Sequence, residues 1–585
     1  MTLLDSMIVM IYLLFIGIAA WLFRRFSTSS NDFLQGGGTM MWWMAGATAF
    51  MTQFSAWTFT GAAAKAYEDG ISVMFIFWGN ALGFFVAAAF FARRYRRLRV
   101  ETAMEVIRVR FGHTSEQLFT WLSFPLTLIA CAIWMNGLAS FFSAVFAIEM
   151  STTILAMGVI VTLVAVSGGA WTVSVTNVIQ LILLIAITLV IGYTALQRFD
   201  SPSEVFAYTT PIYGEQIRMP SLFVMWAITM LLQQTMSNNH TLSCYRFLTT
   251  ANDKDATKAA FVAGVLFVFA PVLWFMPAWF VAAQNIDLLA IYPALEQSAN
   301  NAAYLYYIQH YMPQGLLGLV MVALVALVAL VAATIAPLSS AHNRNAGIVV
   351  KSLYKVWFNP NATSRQQLMV GKIATVVSGV LATVTALLLA SVESYSLFDM
   401  MIVFAAFIQM PINIPSLLAL VSLKTPNWSG WATVMVGCAV SLFMMFIFDV
   451  QWLSSSPLTP RESKDLSVVA TLAVHLLVTG GFFLFTRVFY DKEPPSIQQS
   501  RTALAIQLAT PISDEELSPI NHKQGLYVGS ITALAGMLLI LAGVVLAGSS
   551  QSIFVAIGCI VLLFSLFLLQ PTQHSKRAWQ KQKTK

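Results

Sequence analysis

Polar residues interrupt two long hydrophobic segments of this chain. Residues 52–58 lie inside the apolar segment 40–64, and residues 233–241 lie inside the apolar segment 222–247. A polar group that faces lipid costs several kcal/mol, so each interruption must face protein, water or a ligand. Two interrupted helices in corresponding places of two halves are typical of the central binding site of a transporter.

Hydropathy along the whole chain predicts about fifteen membrane-spanning helices. Each candidate is close to the ~20 residues that a helix needs to cross the hydrocarbon core. The candidates are residues 6–23, 40–64, 71–92, 118–148, 152–166, 173–196, 222–247, 259–283, 315–338, 370–390, 398–423, 428–448, 466–485, 526–547 and 553–569. We therefore predict an all-α, multi-pass protein of the cell membrane, which in a bacterium would be the inner membrane.

Composition and charge agree with this class. The chain is 58% hydrophobic and only 10% charged, whereas a soluble domain carries roughly 25% charged residues. With the N-terminus outside and the C-terminus inside, most Lys and Arg residues fall in loops on the cytoplasmic side, as the positive-inside rule requires. The net charge of +7 thus indicates orientation in a lipid bilayer and no nucleic-acid partner, and nothing in the sequence indicates an obligate protein partner.

The predicted helices divide into segments around a repeated core. Spans two to six and spans seven to eleven each contain five helices and begin with an interrupted one, and an odd number per half forces the halves into opposite orientations. The predicted segments are 1–39 (an extra N-terminal helix and loop), 40–425 (a five-plus-five inverted-repeat core), 426–490 (additional helices), 491–524 (a cytoplasmic linker) and 525–585 (two C-terminal helices and a basic tail).

Five stretches of the chain resemble motifs of the sodium/solute symporter family, which includes sodium–glucose and sodium–proline carriers. They are Gln53-Phe54-Ser55-Ala56-Trp57-Thr58 with Tyr67-Glu68-Asp69-Gly70, Glu101 to Gly112, Gly168-Gly169 with Thr176 to Gln180, Met312 to Leu319, and Leu338-Ser339-Ser340 with Asn343 and Tyr354. The resemblance implies a LeuT-like five-plus-five inverted repeat and ion-coupled uptake of a small organic solute, and not an enzyme.

The same resemblance implies where a sodium ion would bind. Met51 and Phe54 match positions that supply backbone carbonyls, but the two usual hydroxyl positions hold Ala336 and Pro337, which have no side-chain oxygen. Asn177 replaces a family acid. Because a hard cation prefers oxygen ligands and anionic neighbours, these changes predict weak Na⁺ binding at that position.

Two coupling hypotheses stay open. In the first, Na⁺ coupling persists through Asn177, Ser339 and Ser340, the two serines matching a second ion position of some family members. In the second, coupling is to protons or is absent, with His240 or His342 as the titrating group. A damaged ion site also leaves room for a membrane sensor that keeps the carrier fold.

Candidate solute-binding residues come from the interruptions and from polar or aromatic residues on neighbouring spans. They are Gln53, Ser55 and Thr58 in the first interruption, Asn239, His240 and Thr241 in the second, Trp78 and Asn80 on the third span, and Gln409 on the eleventh. Amide and aromatic side chains favour a neutral solute that is stacked and hydrogen-bonded. We expect no Arg or Lys at mid-membrane, which argues against a dicarboxylate, but helix-end dipoles could still hold one carboxylate.

Overall fold

The computed structural model of this protein describes residues 38–146, 148–201, 205, 220–312, 329–391, 397–513, 516, 524–545 and 549–570. The predicted first span at 6–23, most of the motif at 312–319 and the basic tail lie outside these residues. The described part is helical apart from loops and one isolated bridge between Met40 and Thr250. An all-helical fold is thus confirmed for the described residues.

The described part of the chain is built from α-helices of very different lengths. In chain order they are Trp42–Met51, Gly61–Asp69, Met74–Val86, Ala92–Arg97, Ala103–Phe111, His113–Phe146, Met150–Leu196, Pro220–Asn239, Thr241–Leu248, Asp253–Ala283, Leu288–Ile291, Ala303–Tyr311, Ala329–Ile348, Ser364–Ala390, Leu397–Val403, Met410–Leu418, Ser429–Phe446, Pro460–Val474, Gly481–Phe485, Pro495–Ala509, Gln524–Val545 and Ser549–Leu569. Several are extended by wider or tighter helical turns, namely Gly70–Val73, Ala87–Phe91, Val349–Phe358, Phe404–Gln409, His475–Gly480 and Thr486–Lys492.

Ten helices of the described part are long and apolar enough to cross a membrane. One difference from the prediction concerns the candidates 152–166 and 173–196, which lie in the single continuous helix Met150–Leu196. The helix continues through Gly168-Gly169, and glycine is tolerated in membrane helices.

Both predicted helix interruptions are present. The first broken helix consists of Trp42–Met51 and Gly61–Asp69, separated by a turn and the short helical turn Ala56–Thr58. The second broken helix consists of Pro220–Asn239 and Thr241–Leu248, and the backbone is extended at His240 between them (φ −72°, ψ 161°). Each break exposes helix ends whose backbone polar groups need partners other than lipid.

Glycines bring the second broken helix close to the helix Met74–Val86. A Cβ atom at Gly79 would lie 2.9 Å from the carbonyl oxygen of Met230, and one at Gly83 would lie 3.1 Å from the Cα of Thr235. Small residues are the usual means by which membrane helices approach at the backbone. This contact fixes the position of the second break relative to the segment that follows the first.

The predicted linker contains a helix, Pro495–Ala509, which we call the strap helix. Its buried side chains are Arg501, Leu504 and Leu508. The guanidinium of Arg501 donates to the carbonyl oxygen of Val109 at 3.1 Å and also to the side-chain oxygen of Asn427. The strap helix therefore packs against the end of the molecule that carries the basic segment 93–99.

Candidate functional site

A cavity of about 160 Å³ lies between the two helix breaks. We call it the central cavity. Five of the nine predicted solute-binding residues line it: Gln53, Ser55, Asn80, His240 and Gln409. The two breaks thus converge on one space, as their polar residues indicated.

Four predicted solute-binding residues lie outside the lining of the central cavity. Asn239 donates to the carbonyl oxygen of Gly83 at 2.8 Å, and the hydroxyl of Thr241 lies 3.3 Å from that of Tyr95. The ring of Trp78 packs edge-on against another ring on its own helix, and Thr58 is buried. The contacts of Asn239 and Thr241 join helices.

Two arginines that sequence reasoning missed, Arg246 and Arg344, line the central cavity. The expectation of no Arg or Lys at mid-membrane is therefore wrong. Both lie beyond the most apolar stretch of their helices, and side chains on a helix point back toward its N-terminus. A long arginine side chain can thus reach a depth that the hydropathy of its own position does not show. The relevant signal was the spacing of Arg344 from Ser340, which is one helical turn.

Arg246 holds the two breaks together. One guanidinium nitrogen donates to the carbonyl oxygen of Ala49 at 3.3 Å and to the hydroxyl of Thr52 at 3.2 Å. The other donates to the backbone and side-chain oxygens of Asn238 at 3.1 and 3.2 Å. The guanidinium carbon also lies 4.7 Å from the ring centre of Phe84. Arg246 is thus a cross-brace between the first and second broken helices.

Arg344 makes fewer hydrogen bonds than Arg246. Its hydrogen bond is a long one, 3.4 Å, to the carbonyl oxygen of Leu242, and its Nε is buried without a hydrogen-bond partner among the described residues. No Asp or Glu is among the described residues that line the central cavity. The buried amide nitrogen of Asn413, also in the lining, has no partner in the described part of the chain either.

Some of the predicted ion ligands have oxygen atoms that are available to a cation, and others do not. Both side-chain polar atoms of Asn177 and the hydroxyl oxygen of Ser340 are buried without hydrogen-bond partners in the described ranges. Ser339 is fully buried, and the carbonyl oxygen of Met51 accepts the N–H of Phe54 at 3.2 Å. Unused buried oxygens are what a hard cation takes as ligands, so Asn177 and Ser340 fit Na⁺. Pro337 lines the cavity and contributes no oxygen donor from its side chain.

The two histidines proposed for proton coupling differ in position. His240 lines the central cavity, and its Nε2 lies 3.0 Å from the hydroxyl of Ser243. His342 is buried away from this lining, with its Nδ1 2.9 Å from the hydroxyl of Ser378. Only His240 is therefore placed where a bound solute would meet it.

A second, wider cavity of about 1390 Å³ adjoins the central cavity. Ile402 lines both. Trp57, in the lining of the central cavity, stacks on Phe398, in the lining of the wide cavity, and its indole N–H donates to the carbonyl oxygen of Leu397 at 3.0 Å. Charged side chains surround the wide cavity, including an ion-pair cluster in which Asp69 bridges Lys65 and Arg461.

Residues 33–437 match the family model described as Sodium:solute symporter family. The chain belongs to the sodium:solute symporter family. The matched segment covers both broken helices, the central cavity and the predicted inverted-repeat core. The family resemblance inferred from the motifs is therefore confirmed.

Individual relatives in the family are distant. The sodium/glucose cotransporter of Vibrio parahaemolyticus is 22% identical over 76% of this chain and 85% of its own length. The sodium/sialic acid symporter NanT of Aliivibrio fischeri is 26% identical over 64% of this chain and 75% of its own length.

Solved structures show the same fold. An outward-open, substrate-bound Na⁺-coupled sialic acid symporter superposes with a TM-score of 0.64 and 17% identity, covering 84% of this chain and 99% of its own. Mhp1, a nucleobase-cation-symport-1 family transporter in a closed conformation, superposes with a TM-score of 0.50 and 16% identity, covering 81% of this chain and 98% of its own. These neighbours are LeuT-like transporters, so the described helices have that fold.

Proposed function

We propose that this protein is a Na⁺-coupled symporter that moves a small organic solute across the cell membrane by alternating access. The observation that carries the proposal is the convergence of two helix breaks on one cavity, in a chain of the sodium:solute symporter family. Broken helices of this kind expose backbone and side-chain polar groups at mid-membrane, where substrate and ion bind next to each other.

The finer architecture is part of the same proposal. About fifteen transmembrane helices, with the N-terminus outside and the C-terminus inside, would place the basic segment 93–99 and the strap helix in the cytoplasm. Lys65 and Gly70 line the wide cavity and lie just before the helical segment 74–97, whereas the basic segment 93–99 is at the far end of that segment. The wide cavity is therefore at the end of the molecule opposite the basic segment. In this orientation the wide cavity opens to the outside, and the Trp57–Phe398 pair separates it from the central cavity.

The proposal that Na⁺ is the coupling ion rests on the family and on two side chains whose buried oxygen atoms have no hydrogen-bond partner in the described residues. Asn177 and Ser340 offer buried oxygens without partners in the described part of the chain, and Ser339 precedes Ser340 in sequence. These residues would hold the ion in place of the hydroxyls that Ala336 and Pro337 lack. The bound ion supplies the driving force, since its entry down a gradient is coupled to a conformation that also holds solute.

Uptake into proteoliposomes tests this function. We expect solute accumulation with an inward Na⁺ gradient and little accumulation when choline replaces Na⁺, across a panel that includes glucose and sialic acid, the solutes named for the relatives. Accumulation that follows a pH gradient in choline would show proton coupling, with His240 as the first residue to substitute. Binding without accumulation under any gradient would indicate a solute sensor.

A further inference from the structure

We infer that the solute carries a carboxylate, and that Arg344 binds it in the central cavity. This inference rests on the proposed transport function and specifies the chemical class of its substrate. In the sequence, amide and aromatic residues had favoured a neutral solute, and the expected absence of arginine at this depth had argued against a dicarboxylate.

The charge of the cavity lining is the first observation. Arg246 and Arg344 both line the central cavity, and none of the described lining residues is acidic. A buried charge is costly unless it is paired and hydrogen-bonded. The lining therefore lacks an anion, and a bound anionic solute would supply it.

The two arginines differ in availability. Arg246 makes four hydrogen bonds that join the helix breaks. Arg344 makes one long hydrogen bond, to Leu242. The Nε of each arginine has no partner among the described residues, so the difference lies in the terminal guanidinium nitrogens. A guanidinium presents parallel N–H donors that match the two oxygens of a carboxylate. Arg344 is thus the group that remains free to bind substrate.

Other lining residues fit the remainder of such a solute. The amide N–H groups of Asn413 are buried and unused within the described part, and Gln53 and Gln409 offer amides nearby in the lining. The rings of Trp57, Phe77 and Trp134 supply an apolar wall. The cavity volume of about 160 Å³ is similar to that of an engineered cavity of ~150 Å³ that holds benzene. We therefore infer a compact carboxylate of about benzene's size.

The position of Arg344 also connects substrate binding to the ion. Ser340, a proposed ion ligand, lies one helical turn before Arg344, and residues four apart share a helix face. A free guanidinium repels a cation bound nearby, and a carboxylate between them removes that repulsion. Carboxylate binding should therefore raise the affinity for Na⁺, and Na⁺ should raise the affinity for the carboxylate by the same factor.

The test compares carboxylates with carboxamides of the same shape. Purified full-length protein is heated with lactate or lactamide, nicotinate or nicotinamide, and benzoate or benzamide, each in Na⁺ and in choline. A ligand that binds the folded state raises the unfolding temperature. We expect at least one carboxylate to stabilise the protein more than its amide, and more in Na⁺ than in choline. If no carboxylate exceeds its amide, the inference is overturned.

Variants locate the effect at Arg344. R344Q should weaken carboxylate binding by at least about tenfold, the ratio expected on losing a charge-assisted hydrogen bond, and R344K should keep part of it. R365Q, which removes an exposed arginine, is the matched control and should bind as the parent does. Unchanged carboxylate binding in R344Q would overturn the assignment, and the comparison on the parent protein decides the substrate class if that variant does not fold.

Failure of this inference and failure of the proposed function give different results. Carboxylate binding that is equal in Na⁺ and choline would leave the substrate class standing and refute Na⁺ coupling. Na⁺-dependent binding of neutral amides alone would leave Na⁺ coupling standing and refute the role of Arg344.

Discussion

The indole ring of Trp57 stacks on the phenyl ring of Phe398, with 5.8 Å between the ring centres and 16° between the ring planes. Trp57 belongs to the first helix break, whereas Phe398 begins a helix some 340 residues later in the chain. Trp57 lines the central cavity and Phe398 lines the wide cavity. We therefore expect this contact to separate when solute passes between the two spaces.

We expect F398A to open that passage. A stacked aromatic pair contributes about 0.5–1.5 kcal/mol, so its loss should raise the population of the open arrangement about two- to tenfold. In a background without native cysteines, Q409C provides a thiol in the cavity, and its rate of labelling by an impermeant methanethiosulfonate is the measurement. F485A, which removes a ring with 59% exposure, is the control. Equal labelling rates in the two variants would contradict a closing role for the pair.

Substitution of Arg246 should destabilise the protein. R246Q removes the four hydrogen bonds that the guanidinium donates to Ala49, Thr52 and Asn238, which should lower the free energy of unfolding by at least about 2 kcal/mol. R246K should recover only part of this, because a single ammonium cannot reach both sides of the brace. Denaturant unfolding in detergent measures the loss, with R365Q as the matched control. A stable R246Q protein that has lost only solute binding would instead make Arg246 a substrate ligand.

Asn177 offers a test of the ion site that separates binding from packing. N177D adds a negative charge beside the proposed ion and should lower the Na⁺ concentration for half-maximal stabilisation about tenfold. N177L removes two buried atoms that lack partners, so it should abolish the Na⁺ response without loss of stability in choline. N361D, at an exposed position, controls for added charge. A Na⁺ midpoint that is the same in N177D and N361D would show that the ion binds elsewhere.

The stability of the chain just after the strap helix should depend on pH through Glu516. Its ion pair with Arg99 lowers the pKa of the carboxyl group from 4.5 to about 2. Because the pKa in the folded state is the lower one, the contribution of the pair is present above about pH 4.5 and is lost as the pH falls toward 2. Hydrogen exchange in the strap helix should therefore be faster in E516Q than in the parent at neutral pH, and the difference should shrink in acid.

Salt gives the control for that measurement. The carboxyl group is exposed, so high ionic strength should screen the pair and reduce the difference between E516Q and the parent. R501A should loosen the strap helix at every pH and salt concentration, since its bonds to Val109 and Asn427 are made by a buried side chain. Equal exchange in all three proteins would mean that neither contact holds the strap helix in place.

Sequence patterns predicted the helix breaks better than the directions of side chains within them. Polar residues at mid-membrane must avoid lipid, and this rule located Gln53, Ser55 and His240 in the central cavity. The rule does not tell a cavity from a helix contact, and the break resets the helical phase. Asn239 and Thr241, on either side of His240, therefore turned to protein partners.

Hydropathy also failed where side-chain length or helix continuity mattered. The guanidinium of Arg344 lines a cavity that the average hydropathy around its Cα did not predict. Hydropathy predicted separate spans at 152–166 and 173–196, yet the helix Met150–Leu196 is continuous across both. Neither the position of the Arg344 guanidinium nor the continuity of that helix follows from local hydropathy alone, because both depend on the surrounding tertiary structure.

The brace made by Arg246 has a mechanical consequence. A single guanidinium group binds the end of Trp42–Met51 and the end of Pro220–Asn239, so neither discontinuous helix can swing without carrying the other. Movement that exposes the site alternately to each face must then occur around this pair as a unit, with sliding confined to the surfaces between the unit and the helices that enclose it.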